Sequence, residues 1–316
     1  MGSNQADAGY LAAQAQVRTI PVGLTARKIR ERLIEFLMFL CALSSVAITV
    51  GIVWVLLFES WQFFSHVSII NFLTDTEWTV LFENPRYGIL PLVTGTVVTS
   101  TVALLVALPL GTVIAIYLSE YAANRVKEIL KPILELLSAV PTVVFGYFAL
   151  LFVTPALQSL LPELPGFNML SAGIVIGIMI IPYVSSLSED AMKAVPVTIR
   201  EGSYAMGATR FQTAVRVLIP SAFSGIASAY VLGFSRAVGE TMVVAIAAGQ
   251  QPHLTLNPME GAATITAYIV QVSMGDLPHG SIAYQSIFAA GLTLMCMTLL
   301  FNIGGYLLRK KFREIY

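Results

Sequence analysis

Six long apolar stretches dominate this chain, each near or above the roughly 20 residues that an α-helix needs to cross a ~30 Å hydrocarbon core. They cover about 33–58, 90–118, 133–160, 170–187, 221–249 and 283–308. In lipid each segment must satisfy its own backbone polar groups, so the runs predict an all-α integral membrane protein with six transmembrane helices. Composition agrees: 56% of the 316 residues are hydrophobic and 11% charged, against about 25% charged in a soluble domain. An ordinary soluble enzyme, a disordered chain and a disulfide scaffold are excluded. Pro109, Pro141 and Pro182 fall inside the runs, where neighbouring helices can re-satisfy the freed carbonyls. Cys41 and Cys296 also lie in apolar runs and are expected to be buried small side chains.

The loops set an orientation. Arg18, Arg27, Lys28, Arg30 and Arg32 precede the first run, and Arg125, Lys127 and Lys131 follow the second. Lys193, Arg200, Arg210 and Arg216 follow the fourth, and Arg309, Lys310, Lys311 and Arg313 end the chain. The three other loops hold only Arg86. Positive charge marks the cytoplasmic side, which predicts both termini inside. Residues 1–26 read as a flexible cytoplasmic tail, and 27–316 as the membrane domain. The first run is 26 residues long, against about 7–15 for a signal-peptide core, and is expected to be a retained helix. Trp61, Phe63, Phe64 and Trp78, in the loop from Glu59 to Tyr87, are expected to be interfacial anchors.

One basic residue, Arg236, falls in the middle of a run. A charge there costs at least about 2.5–3.5 kcal/mol, so it must face protein or water. Glu240 follows four residues later, where a continuous helix would let the two pair. The pair could merely hold helices together, or it could form an anion site, since a guanidinium fork suits phosphate, sulfate or carboxylate. Gly225, Ala229, Gly233 and Ala237 recur at every fourth position, followed by Thr241, Ala245 and Gly249. Such a stripe lets two membrane helices approach closely. Thr94, Thr96, Thr99, Ser100 and Thr101 are expected to bond back to their own helix. Ser138 and Thr142 flank Pro141, where a kink could line a cavity. Together, Arg236, Glu240, Thr241, Ser138 and Thr142 are the candidate pathway residues.

Thr198 and Glu201 have capping-box spacing, which predicts a short helix between Pro196 and Pro220. Gly207 offers an easy break. The segment 191–220 resembles the EAA loop of bacterial ABC importer permeases: Glu201, Gly207, Val217, Ile219 and Pro220 fall on its spacing, with Gly202 and Ser203 in place of two alanines. The stretch from Gly233 to Met242, with its Arg-x-x-Gly-Glu-Thr core, resembles a segment of phosphate importer permeases. Tyr87–Thr96, Pro109–Glu120 and Ala139–Gly146 fit the same group. The long first outer loop and Leu256-Asn-Pro-Met259 resemble the PstC-type subunits of that family.

This resemblance implies a type I ABC importer permease fold in a bacterial inner membrane. It further implies that Arg200, Glu201, Gly202, Ser203, Tyr204, Ala205, Gly207, Ala208, Thr209 and Arg210 couple to an ATPase. The implied partners are a PstA-like sister permease, a PstB-like ATPase dimer and a PstS-like phosphate-binding protein, with phosphate as cargo and no nucleic acid. No Gly-x-x-x-x-Gly-Lys-Ser/Thr loop occurs, so the chain is expected to be non-catalytic and to bind no cofactor, with ATP and Mg used by the ATPase. His66, His253 and His279 are scattered over outer loops, and no metal site is expected. Three alternatives stay open: a permease for molybdate or sulfate, an ion-coupled secondary transporter using Arg236 and Glu240, and a membrane anchor.

Overall fold

A computed structural model describes residues 24–80, 84–276, 278 and 280–311. Apart from one bridge between Trp78 and Tyr87, the described residues form helices, turns and loops without strands. Contacts divide the chain into Met1–Val55 and Leu56–Tyr316. The described part of the first unit belongs to one helix, α1 (Leu24–His66), whose side chains are exposed from Lys28 to Val50. Its 43 residues rise about 64 Å at 1.5 Å each, more than a bilayer requires. The expected tail lies outside the described residues up to 23, and 24–26 already belong to this helix. His279 and Arg313 also lie outside the described residues.

The second unit continues through α2 (Ile69–Thr74), α3 (Leu90–Ile116), α4 (Asn124–Ala139) and α5 (Thr142–Gln158). It then forms α6 (Met169–Lys193), α7 (Val197–Ala205), α8 (Arg210–Ser221), α9 (Phe223–Val238) and α10 (Met242–Ala247), and closes with α11 (Ile265–Gln271) and α12 (Ile282–Lys311). The helices α1, α3, α6 and α12 are each long and apolar enough to cross a membrane. Two bent pairs raise the number to six if each is one span: α4 with α5 at 89° and α8 with α9 at 76°. Two of the expected runs are bent rather than straight, one of them at the kink expected around Pro141. The run 133–160 is broken at Val140–Pro141, because proline cannot donate to the helix and biases the residue before it away from helical backbone. The run 221–249 breaks at Ala222 and again after Val238, where Gly239 caps α9.

The most buried helix is α6, whose Asn168 cap accepts from the Ser171 amide at 2.7 Å. Small residues let its neighbours close on it. A Cβ on Gly173 or Gly177 would meet Val102 and Val106 of α3, while the Gly225–Gly233 stripe of α9 meets Ala191, Val184 and Ile180 of α6. The stripe packs two helices, as its spacing predicts. Three hydroxyls of α3 behave as expected, with Thr94, Thr96 and Thr101 bonding back to Leu90, Leu92 and Val97, whereas Thr99 Oγ1 is buried without a partner among the described residues. Thr96 additionally accepts from the Ile265 amide at 3.0 Å, tying α3 to α11.

Beside that tie, Gly95 lies so close to Ala263 that an added Cβ would strike its carbonyl oxygen. Backbone cannot swing aside as a side chain can. Gly95→Ala is expected to destabilise the purified protein by about 1–3 kcal/mol, read as a lowered midpoint of thermal unfolding in detergent. Gly304→Ala, with nothing within 4 Å of the new methyl, is the matched control and is expected to be neutral.

Two sequence expectations about burial fail. Cys41 and Cys296 are exposed on the single chain, because an apolar run in a membrane protein may face lipid as readily as protein. Phe63 and Trp78 are not surface anchors: they are 0% and 4% exposed. Phe63 packs edge-on against Phe72 and Tyr87, and Trp78 against Phe72, Tyr87 and Tyr268. This cluster pins the loop after α1 onto α11. Trp61 alone keeps the anchor's exposure, at 78%.

Candidate functional site

Helix α9 ends at Val238 and the backbone turns before α10 begins. This break gathers three of the five candidate pathway residues. Arg236 occupies the last turn of α9 and is exposed on the isolated chain. Its guanidinium carbon lies 5.1 Å from the ring centroid of Tyr183 on α6, a cation–π contact that holds the charge against the helix bundle. Glu240 is 7% exposed, and its Oε1 accepts from the amides of Met242 and Val243 at 3.2 and 3.4 Å. Thr241 is partly exposed and donates to the Gly239 carbonyl.

The expected Arg236–Glu240 ion pair does not form. Residues four apart share a face only along a continuous helix, and here Glu240 stands beyond the end of α9, turned to the free amides that open α10. Its own carbonyl accepts from Thr266 Oγ1 at 2.7 Å, and Thr266 meets Thr264. Hydroxyls thus bracket the break, leaving Arg236 with an aromatic face and, among the described residues, no carboxylate within 4.0 Å.

Ser138 and Thr142 fall on opposite sides of the α4–α5 bend. Ser138 donates to the Glu135 carbonyl and lines a cavity of about 510 Å³ that also reaches Lys131, Tyr183 and Glu189. Ser138 and Arg236 are therefore linked through Tyr183, which borders that cavity and carries the guanidinium on its ring. Thr142 begins α5, whose Gly146 packs against Met242 and Ile246 of α10. Below Ser138, Glu189 is fully buried and bound by Lys131 at 2.7 Å and Lys193 at 2.5 Å. The sequence reading missed Tyr183, and it counted Lys131 and Lys193 only as loop charges. The i,i+4 spacing of Glu189 and Lys193 was the available signal.

The short helix predicted after Pro196 is α7, but its cap differs from expectation. Pro196 precedes it without a side-chain cap, so Thr198 and Glu201 form no capping box. Thr198 lies inside the helix, one residue past its start. The reciprocal box belongs instead to Thr209 and Gln212, which open α8. Gly207 supplies the break, with φ of +81°. Its amide bonds to Tyr204 and the Ala208 amide to Ser203, a Schellman ending that needs a left-handed residue at that position.

The opposite face of α7 is clamped to α3. Beyond Ile116 the chain makes a wider π turn, Tyr117–Tyr121, which turns Glu120 inward until its side chain is 2% exposed. Arg200 approaches Glu120 Oε1 at 3.3 Å, and Tyr204 donates to Oε2 at 2.6 Å. Burial, followed by the neighbouring carboxylate, holds the Tyr204 phenol above its ordinary range, so it remains a donor throughout neutral pH. Ser203 meets Thr213 at 2.9 Å. Glu201, Gly202, Ala205, Gly207, Thr209 and Arg210 stay exposed, and Ala208 is partly covered. Met206 and Phe211 present 88% and 64% of their surface.

The described residues form a helical bundle with two bent helix pairs, an arginine that pairs with no carboxylate among them, and a clamped loop helix. Residues 107–314 match the family described as binding-protein-dependent transport system inner membrane component. The chain belongs to this family of ABC transporter permease subunits, which work with a partner permease, a separate ATPase and a substrate-binding protein. It is 38% identical over 263 residues to the probable ABC transporter permease protein YqgH of Bacillus subtilis, covering 83% of this chain and 85% of that one. It is 32% identical to the phosphate transport system permease protein PstC of Mesorhizobium japonicum, over 79% of this chain and 81% of the relative. In fold it resembles a bacterial ABC transporter involved in alginate import, with TM-score 0.64, 15% identity and coverage of 90% and 99%.

Proposed function

We propose that this chain is a PstC-like permease subunit of an ATP-driven inorganic phosphate importer. The observation that carries the reading is Arg236: a guanidinium seated on Tyr183 at the break of a span, with no carboxylate paired to it among the described residues, beside a family likeness to phosphate permeases. In this reading six spans cross a bacterial inner membrane, counting each bent pair as one, and both termini are cytoplasmic. A PstA-like sister permease covers the exposed face that carries Arg236. The PstB-like ATPase dimer docks on the exposed surface that runs from Glu201 of α7 to Arg210 at the start of α8, where Met206 and Phe211 protrude. The PstS-like binding protein delivers phosphate to the opposite end. The chain binds no cofactor itself; ATP and Mg are used by the ATPase. Alternating access then exposes the Arg236 site to each side in turn.

Glu240 contributes selectivity in this proposal. Its carboxylate can accept a hydrogen bond from a protonated phosphate oxygen, whereas sulfate lacks that proton and is repelled. The test is ATP hydrolysis by the reconstituted complex with binding protein loaded with phosphate or with sulfate. Stimulation by phosphate alone supports the reading; stimulation only by another oxyanion keeps the family and overturns the substrate. Glu240→Gln is expected to narrow the phosphate-over-sulfate preference by about tenfold, the size of one charge-assisted contact. Unchanged discrimination would remove Glu240 from the filter.

A further inference from the structure

A second basic site lies away from the proposed path. At the end of α12, Tyr306, Arg309 and Lys310 face Ser224, Gly225 and Ser228 of α9 across a cleft of about 480 Å³. An arginine at the end of a membrane helix ordinarily snorkels outward to water. Arg309 turns inward instead, and its place on the helix explains why. Gly305, one turn earlier on the same face, packs against Val231 of α9. That contact brings the two helices together and aims Arg309 at the beginning of α9.

There, Nη1 of Arg309 donates to Ser228 Oγ at 2.9 Å, while Ser228 donates onward to the Ser224 carbonyl at 2.8 Å. The Nε of Arg309 is buried and has no acceptor. Neither Arg309 nor Lys310 has a carboxylate within ion-pair distance among the described residues. The cavity beside Ser138 is different, since Glu135, Glu189 and Asp190 line it. Two cations, an unsatisfied guanidinium N–H and two serines, with no acid among the lining residues, suit a ligand bearing several acceptor oxygens and negative charge. Ile303 and Tyr306, on the faces next to Lys310 and Arg309, are exposed along α12, where they can flank an acyl chain.

We propose that this cleft binds the phosphate headgroup of an anionic phospholipid, with Arg309 and Lys310 on its oxygens and the acyl chains along α12. The shared chemistry is a phosphate anion, and the bilayer is the source to which the geometry points. This inference requires only a membrane-embedded chain and is independent of the transported substrate.

The assembled complex would be placed in nanodiscs containing phosphatidylglycerol and phosphatidylcholine, and its retained lipid counted by native mass spectrometry. Arg309→Gln is expected to lower phosphatidylglycerol retention by about 10- to 100-fold, the range for hydrogen bonds to a charged group. Diffuse attraction between one basic residue and an anionic surface amounts to only about fivefold. Arg216→Gln removes the same charge from an exposed position and is expected to stay within that smaller range. Arg309→Lys keeps the charge without the fork; it is expected to lose about tenfold and serves if the glutamine variant fails to assemble. Equal losses in the Arg309 and Arg216 variants, or none in either Arg309 variant, would overturn the site. Binding of inorganic phosphate in pure phosphatidylcholine discs, lost in Arg309→Gln and blocking lipid retention, would overturn the lipid source in favour of free phosphate.

Discussion

Arg236→Ala is expected to abolish phosphate-stimulated transport while leaving the complex assembled, with uptake falling by about a hundredfold or more. The magnitude follows from losing two charge-assisted hydrogen bonds, each worth about 1.5–3 kcal/mol. Assembly should survive because Arg236 makes no ion pair among the described residues, and the α9–α6 contact does not rest on its place over Tyr183 alone: Gly233 packs against Val184 and Ile180 without it. Arg236→Lys tests geometry, because an ammonium keeps the charge but offers no planar fork. It is expected to retain a few per cent of transport. Tyr183→Ala removes the ring on which the guanidinium rests and should cost about 2- to 30-fold, matching a cation–π contact of about 0.5–2 kcal/mol. Tyr183→Phe keeps the ring and should be close to normal. Radiolabelled phosphate uptake by proteoliposomes distinguishes these cases, and normal uptake with Arg236→Ala would defeat the pathway proposal.

Much of this arrangement is legible in the sequence. Span positions follow from apolar run length, and the packing stripe of Gly225, Ala229, Gly233 and Ala237 needs only a period of four. The position of Arg236 within an apolar run is likewise plain. Its lack of a pairing carboxylate is not, because i,i+4 spacing implies contact only while the helix continues, and α9 stops at Val238. Gly239 was the local sign of that ending. The same difficulty explains the misplaced cap of α7: Thr198 and Glu201 have the right spacing, yet Pro196 sets the helix start one residue before Thr198. Burial of Phe63 and Trp78 depends on α11 arriving from nearly 200 residues away, a tertiary event that no window of sequence contains. Glu120 was legible only as the last letter of a family-like segment, since its burial depends on a π turn and on α7.

That buried carboxylate carries the other large effect. Glu120→Ala is expected to uncouple the ATPase: basal hydrolysis persists, whereas stimulation by loaded binding protein falls at least about tenfold. Glu120 is the sole acidic partner of both Arg200 and Tyr204 among the described contacts. It therefore ties α7, the proposed coupling helix, to α3, which packs along the buried helix α6 and holds α11 through Thr96. In the proposed coupling, a push on α7 reaches the break near Arg236 through these contacts, with α8 and α9 as the second route. Removing one partner of a buried pair costs about 3–5 kcal/mol, and the 25% exposure of Arg200 draws the expectation down to about 2 kcal/mol. That suffices to raise the open population of α7 about thirtyfold, because 1.4 kcal/mol is a factor of ten. Amide hydrogen exchange across Val197–Ala205 should accelerate accordingly, while α6 remains protected. Glu120→Gln keeps an acceptor for Tyr204 and loses the charge opposite Arg200, so it should fall between wild type and alanine. Faster exchange with intact stimulation would show that α7 transmits force through the Ser203–Thr213 contact and α8, and that the Glu120 clamp only positions the helix.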